Sequence, residues 1–185
     1  IYLLLDAEAF QKRADGSMPL AVRGLFGPHL LGAWLNSRWW TRRLAAADQV
    51  APGVLLGRLP TAAEAQRLGV AAIVDVCAEL PCPGPGLRHS VVPMLDLLPP
   101  SVGQIELASA AIGEASVAGP VLVCCALGVA RSALVAAAWV LRSGLATSPE
   151  EAVALVRGAR PAAVLGRPQI DLLYRWQRQY LQAVS

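Results

Sequence analysis

The sequence predicts an α/β fold: a central, mostly parallel sheet of four or five strands flanked by helices on both faces, with an added helical segment at the N-terminus. From about residue 48 onwards, short apolar and β-branched runs alternate with helical patterns, which is typical of parallel strands joined by helices. The chain has 185 residues, of which 55% are hydrophobic, enough to bury the core of one such unit.

The first strand and helix of this alternation are predicted between residues 54 and 69. Residues 54–57 form a short apolar run typical of a strand. A helix is predicted over 61–68, because Thr61 can cap its N-terminus and Glu64 completes a capping box. Gly69 is expected to end this helix.

Four further elements are predicted up to residue 125. The continuous apolar run 70–76 predicts a central strand. Residues 87–92 predict a weaker strand that ends at Pro93, since proline cannot donate a hydrogen bond to a neighbouring strand. A helix is predicted over about 101–117, and the apolar run 120–125 predicts a buried strand.

Three helices are predicted in the last third of the chain. The alanine-rich segment 132–143 favours a helix closed by Gly144. Ser148 can cap a helix over 149–157, whose first turn carries two glutamates. The segment 168–182 has the pattern of a long amphipathic helix.

The loop between the strand ending at Cys125 and the following helix has an arginine six positions after that cysteine. A helix N-terminus presents backbone N–H groups without intrahelical partners, and together with the helix dipole they bind anions. Arg131 adds a guanidinium that can grip two phosphate oxygens, and Gly128 lets the loop close. The sequence therefore predicts a phosphate site formed by Ala126, Leu127, Gly128, Val129, Ala130 and Arg131.

Cys125 is the candidate nucleophile of this site. The helix N-terminus and Arg131 are expected to lower the pKa of its thiol, so that it attacks phosphorus as a thiolate without an adjacent base. Ser132 can donate a hydrogen bond to the sulfur and help it to leave. The alternative, that Cys124 and Cys125 are buried core cysteines, explains neither Gly128 nor Arg131.

Cleavage of a phosphate ester also needs a proton donor for the leaving oxygen. The best candidate is Asp96, which follows a predicted strand 29 residues before Cys125. Aspartate is also common as a turn residue, but the nearby nucleophile favours the catalytic interpretation. Asp75 and Glu79 are weaker candidates: Asp75 suits a buried, hydrogen-bonded acid, and Glu79 suits a residue that orients the loop or Arg131. The two histidines are expected to be structural or surface residues.

The segment CALGVARSA, which begins at Cys125, resembles the C-x5-R-S signature of the cysteine-dependent phosphatases. It is most similar to the dual-specificity branch of the protein tyrosine phosphatase family. The resemblance extends from Val50 to the C-terminus and includes 50–57, 75–79 and the pair Arg160-Pro161.

The resemblance also implies site residues. In this family the general acid lies in a loop similar to that of Asp96. One position departs from the family pattern, because the residue before the nucleophile is usually histidine and is Cys124 in this chain. Since that histidine orders the loop and tunes the thiolate, Cys125 is expected to be less acidic than its counterparts.

The resemblance implies a phosphatase that hydrolyses phosphomonoesters through a phosphocysteine intermediate, without metal or cofactor. A dual-specificity protein phosphatase is favoured, because lipid-directed relatives often carry basic residues in the loop, and those between Cys125 and Arg131 are uncharged. Two alternatives stay open. One is a phospholipid or phosphoinositide phosphatase of the same fold. The other is a phosphate-binding pseudophosphatase, in which Cys124 in place of histidine indicates that catalytic activity has been lost.

The chain is predicted to divide near residue 48. A helical N-terminal extension is expected over 1–47, and a dual-specificity-phosphatase-like catalytic domain over 48–185. Within the extension, residues 19–44 interleave leucine, phenylalanine and tryptophan with four arginines. This pattern suits either helices that pack on the core or peripheral contact with a membrane.

Composition limits the partners and the compartment. A net charge of +3 without a run of basic residues predicts no nucleic-acid binding, and no stretch has the ~20 apolar residues of a membrane-spanning helix. Four cysteines without metal-ligand spacing predict a reducing compartment, the cytoplasm, with the inner face of a membrane as an alternative. Because the sequence begins at Ile1 in an apolar stretch, a fragment of a longer protein with an upstream membrane domain is a further expectation.

Overall fold

A computed structural model describes residues 7–82 and 86–181, and one five-stranded sheet forms within them. Its strands are β1 (Ala47–Ala51), β2 (Val54–Arg58), β3 (Ala72–Cys77), β4 (Arg88–Met94) and β5 (Val121–Cys125). The order across the sheet is β1-β2-β5-β3-β4. β1 is antiparallel to β2, and the other neighbouring pairs are parallel. The predicted α/β class with a mostly parallel sheet is confirmed.

Seven α-helices are present within the described residues. They are α1 (Leu20–Leu25), α2 (Gly27–Thr41), α3 (Ala62–Leu68), α4 (Val102–Ser116), α5 (Arg131–Arg142), α6 (Pro149–Ala159) and α7 (Arg167–Trp176). Helices α4 and α5 pack directly on the strands, and α6 and α7 pack against them. The loop from β5 to α5 therefore joins two elements of the same packed unit.

Strands β3 and β5 lie inside the sheet, and every residue of both is buried. Their continuous apolar character is typical of parallel strands covered by helices. Helix α5 is buried along almost its whole length. The β5–α5 loop is consequently held between two rigid, buried elements, which favours a fixed backbone there.

The predicted caps are present. The Thr61 hydroxyl accepts a hydrogen bond from the Glu64 N–H at 3.2 Å, and the Glu64 carboxylate accepts one from the Thr61 N–H at 2.8 Å. Gly69 ends α3 in the left-handed conformation, with a φ of 63°. These contacts confirm the predicted helix boundaries at this point of the chain.

Strand β1 is an element that the sequence does not predict. Its residues Ala47, Asp48 and Gln49 have low strand propensity, and pairing with β2 supplies their extended conformation. The segment 50–57, predicted to contain a single strand, holds the end of β1, a turn at residues 52–53 and most of β2, and so belongs to an antiparallel hairpin.

Two predicted ends are also wrong. Strand β4 does not stop at Pro93 but continues to Met94; β4 is an edge strand, where proline's missing N–H is tolerated. The helix predicted over 168–182 is α-helical only to Trp176, and a π-helical turn over Gln177–Leu181 follows it.

The N-terminal segment contacts the rest of the chain through ion pairs. Lys12 Nζ lies 2.6 Å from a carboxylate oxygen of Asp75 in β3, and Arg38 of α2 lies 2.9 Å from one of Glu64 in α3. In the described ranges, no helix is both long and apolar enough to cross a membrane. The apolar residues 1–5 lie outside the described residues.

Candidate active site

The predicted phosphate loop connects the end of β5 at Cys125 to the start of α5 at Arg131. Gly128 adopts a φ of 70°, and a Cβ there would overlap the backbone of Gly57 and Arg58. Glycine is thus required twice over, by the left-handed backbone and by the close approach to β2. Ala126 and Leu127 line the adjoining cleft, and Ala130 precedes the first turn of α5.

The loop backbone is braced from outside. The buried Arg160 donates from Nε to the Gly128 carbonyl at 2.7 Å and also pairs with Asp48 of β1. The Val164 N–H donates to the Val129 carbonyl at 2.6 Å. The sequence indicates Arg160 only through the family resemblance, because no local pattern links it to a loop 32 residues earlier.

Cys125 lies at the bottom of this loop with its thiol buried. The Ser132 hydroxyl donates to its sulfur at 3.2 Å, and the Gly128 N–H does so at 3.3 Å. Burial alone would raise the pKa of the Cys125 thiol, but the Arg131 charge and these hydrogen bonds outweigh burial and lower it. The predicted nucleophile is therefore stabilised as a thiolate.

The hydrogen bonds of the Arg131 guanidinium are made by one of its terminal nitrogens. Its Nη1 donates to both carboxylate oxygens of Glu79, at 3.0 and 2.7 Å, and to the Met94 carbonyl at 2.6 Å. Its Nη2 lies 3.4 Å from a carboxylate oxygen of Asp96. Its Nε is buried without a hydrogen-bond partner in the described part of the chain. The edge formed by Nε and Nη2 can accordingly donate to two oxygens of one anion.

Asp96 lies in the loop after β4, with 43% of its side chain exposed. Its backbone N–H donates to Glu79 at 2.5 Å, so Glu79 contacts both Asp96 and Arg131. The structure thereby brings together the four residues that the sequence singles out, Cys125, Arg131, Asp96 and Ser132.

The two weaker acid candidates occupy different places. Glu79 is buried against Arg131, whose charge holds the pKa of Glu79 below its usual value although burial alone would raise it. Asp75 is buried, forms an ion pair with Lys12 and accepts a hydrogen bond from the Cys77 N–H at 2.9 Å. Neither is therefore free to act as the acid, and each has the structural environment that the sequence indicates as its alternative.

Cys124 is fully buried, and it pairs in register with Asp75 on the neighbouring strand. Burial raises the pKa of the Cys124 thiol, which contacts Cys82. Because successive side chains of a strand point to opposite faces, Cys124 faces away from the site of Cys125. Although Cys124 stands where the family usually has histidine, the pKa of the Cys125 thiol is still lowered by Arg131 and by the hydrogen bonds to the sulfur.

A cleft of about 360 Å³ opens beside Asp96 and Arg131, and helix α2 forms one of its walls. His29, Asn36 and Ser37 of that helix line the cleft. His29 is thus a cleft residue, which the expectation of a structural or surface role did not include. The sequence misses this wall because nothing local relates α2 to a loop some 90 residues later in the chain.

No protein-family model and no curated protein matches this chain. A single-residue variant of human DUSP28 is 30% identical to it, with a TM-score of 0.67, over 76% of this chain and 99% of that one. The chain belongs to the dual-specificity branch of the cysteine-dependent protein tyrosine phosphatases. Tk-PTP, solved in its active form, is also similar: it is 27% identical with a TM-score of 0.64, over 74% of this chain and 99% of that one.

A structure with lower sequence identity has the same fold. PTPMT1, solved in complex with PI(5)P, is 16% identical to this dual-specificity-type chain with a TM-score of 0.65. That match covers 76% of this chain and 100% of the other. At this identity the similarity concerns the fold alone.

Proposed function

We propose that this chain hydrolyses phosphomonoesters through a phosphocysteine intermediate. One arrangement carries the proposal: the buried Cys125 sulfur accepts hydrogen bonds from Ser132 and Gly128 at the base of the loop. At the same loop, Arg131 has a buried Nε without a hydrogen-bond partner among the described residues, next to an Nη2 that lies 3.4 Å from Asp96. Attack on a phosphate ester requires a nucleophile and nearby groups that stabilise the negative charge on the phosphate oxygens, and this loop carries both.

In the first step, Cys125 Sγ attacks phosphorus and a new S–P bond forms as the bond from phosphorus to the ester oxygen breaks. Asp96 donates a proton to that oxygen, which leaves as an alcohol or phenol. Arg131 and the backbone N–H groups from Ala126 to Arg131 stabilise the charge on the phosphate oxygens. None of these events calls for a metal or a cofactor.

In the second step, a water molecule attacks the phosphocysteine. Asp96, now a carboxylate, takes a proton from the water, and the S–P bond breaks to release inorganic phosphate and the thiolate. The Ser132 hydroxyl, 3.2 Å from the sulfur, stabilises the departing thiolate. Glu79 acts as a positioning residue, because it fixes Arg131 and the Asp96 backbone.

For the substrate, we propose a phosphorylated protein residue, since the loop side chains between Cys125 and Arg131 are uncharged. A phospholipid is the second candidate, favoured by exposed tryptophans on α2, the helix that lines the cleft. A pseudophosphatase is disfavoured by the retained site residues. The four free cysteines favour a reducing compartment, the cytoplasm or the inner face of a membrane.

The test is turnover of para-nitrophenyl phosphate by the wild type, by Cys125→Ser and by Cys124→Ser as a matched control. We expect Cys125→Ser to be inactive, and Cys124→Ser to retain activity because its side chain lies outside the site. Rapid quenching of the wild type should reveal phosphate on the peptide containing Cys125. Equal turnover by the wild type and Cys125→Ser would exclude the mechanism. Phosphopeptides and phospholipids assayed in parallel then identify the substrate class.

A further inference from the structure

Exposed apolar side chains concentrate on the two segments that border the cleft. Of the 13 large hydrophobic residues exposed in the described part of the chain, nine lie between residues 20 and 40 or directly after Asp96. They are Leu20, Leu25, Leu31, Trp34, Leu35, Trp39, Trp40, Leu97 and Leu98. We name these nine residues the apolar rim. Such a concentration marks an interaction surface, because isolated exposed hydrophobics are normally scattered.

Helix α2 packs a narrow line of residues against the rest of the chain and leaves several large apolar residues exposed. Leu30, Ser37 and Thr41 are its buried residues, whereas Leu31 and Trp39 project elsewhere and remain exposed. The exposed fractions of Trp39 and Trp40 are 64% and 68%, large for side chains of this size. The helix is therefore anchored along one line and keeps a broad apolar surface uncovered.

The loop after β4 adds a second part of the rim. Leu97, the residue after Asp96, is 92% exposed and has a φ of 64°, a conformation that residues other than glycine rarely adopt. Strained backbone persists where surrounding structure holds it and is concentrated at functional sites. Here it directs an apolar side chain to solvent beside the proposed acid.

Charge around the rim favours an anionic partner. No aspartate or glutamate occurs between Asp15 and Asp48, a stretch that contains the exposed Arg23, Arg42 and Arg43. The Arg42 guanidinium lies 3.9 Å from the ring centre of Trp39. Tryptophan next to arginine is the combination that binds the headgroup region of an anionic bilayer.

We propose that the apolar rim and the arginines beside it dock on an anionic phospholipid bilayer, which holds the cleft at the membrane surface. The identification of the cleft as the active site rests on the proposed phosphatase function. The docking of the apolar rim on a bilayer does not depend on that function. Membrane attachment would confine the enzyme to phosphorylated groups displayed at or close to the bilayer.

The experiment is co-sedimentation with vesicles of phosphatidylcholine, with and without phosphatidylglycerol. We expect the wild type to bind the anionic vesicles. The pair Trp39→Ser and Trp40→Ser should weaken binding at least about tenfold, since it removes the inserted rings. The pair Arg42→Gln and Arg43→Gln should weaken it about 30-fold and reduce its salt dependence. The pair Leu107→Ser and Val117→Ser, exposed on and just after α4, is the matched control and should bind as the wild type does.

Turnover of soluble para-nitrophenyl phosphate should be unchanged in all three pairs, which shows that they are folded. Absence of wild-type binding to anionic vesicles, or binding that the tryptophan pair leaves intact, would overturn the proposal. A dimer in sedimentation velocity that dissociates in the tryptophan pair would also overturn it, because a second copy would then cover the rim. Vesicle binding without turnover would contradict the proposed phosphatase function and not the docking.

Discussion

Glu79 and Arg131 form a buried ion pair between residues 52 positions apart, in which both carboxylate oxygens accept hydrogen bonds from the same guanidinium nitrogen. Burial of an ion pair is unfavourable unless its other polar atoms are also satisfied. The Met94 carbonyl, the Asp96 N–H and the Cys77 thiol supply those additional hydrogen bonds. The pair therefore orients Arg131, whose Nε has no hydrogen-bond partner among the described residues.

Glu79→Gln tests this positioning. The amide keeps the volume of the side chain but removes the charge that fixes Arg131, so kcat/KM for an aryl phosphate should fall by about 100-fold. The affinity for vanadate, measured as an inhibition constant, should fall with it. Glu114→Gln, on an exposed position of α4, is the control. Unchanged vanadate affinity in Glu79→Gln would show that Arg131 does not need the carboxylate.

Asp96→Ala tests the general acid. A poor leaving group needs the proton and a good one does not, so turnover of alkyl phosphates should fall about 10²- to 10⁴-fold while activated aryl phosphates lose much less. The measurement is the dependence of kcat/KM on leaving-group pKa, which should become steeper. Asp171→Ala, exposed on α7, should leave that dependence unchanged. An equal loss for all substrates would contradict the role.

The lowered pKa of Cys125 predicts the pH dependence of its alkylation. The thiolate is the reactive form, so inactivation by iodoacetate should rise with pH, with a midpoint below that of an ordinary cysteine. Ser132→Ala removes a hydrogen bond that stabilises the thiolate, and should move the midpoint upward. Ser143→Ala, exposed at the end of α5, should not move it.

Inorganic phosphate should protect against this inactivation, because the proposed mechanism requires the loop to bind phosphate next to the sulfur. Peptide mass spectrometry is needed to locate the alkylated residue, since a hydrogen bond from Cys124 lowers the pKa of Cys82 to about 6 as well. A midpoint at or above that of free cysteine in the wild type would contradict a preformed thiolate.

Lys12→Met tests the buried pair with Asp75. Lys12 is the single lysine among 16 basic residues, and its side chain is completely buried. Removing it leaves an unpaired carboxylate in the interior, which should lower the free energy of unfolding by about 3–5 kcal/mol in urea denaturation. The double variant Lys12→Met and Asp75→Asn should recover part of the loss. Arg13→Met, the exposed neighbour, should be almost neutral; a similar loss there would argue against the pair.

The phosphate loop and most of the scaffold could be predicted from local sequence. The segment from Cys125 to Arg131 lies between a predicted buried strand and a predicted helix. The positions of these two elements determine where the short loop between them must lie. The capping box of Thr61 and Glu64 involves residues only three positions apart, so the N-terminus of this helix can be predicted from the local sequence. Strand β1 escapes prediction because its conformation depends on pairing with β2 and not on its own residues.

The sequence alone determined the candidate nucleophile, the candidate phosphate loop, the candidate acid and the order along the chain of every strand except β1, because these depend mainly on motifs and patterns within short segments. Only the tertiary structure decided that Glu79 holds Arg131, that Lys12 lies on Asp75 and that α2 forms a wall of the cleft. Those contacts join distant parts of the chain. No periodicity or spacing encodes them, since they arise when the packed sheet brings its elements together.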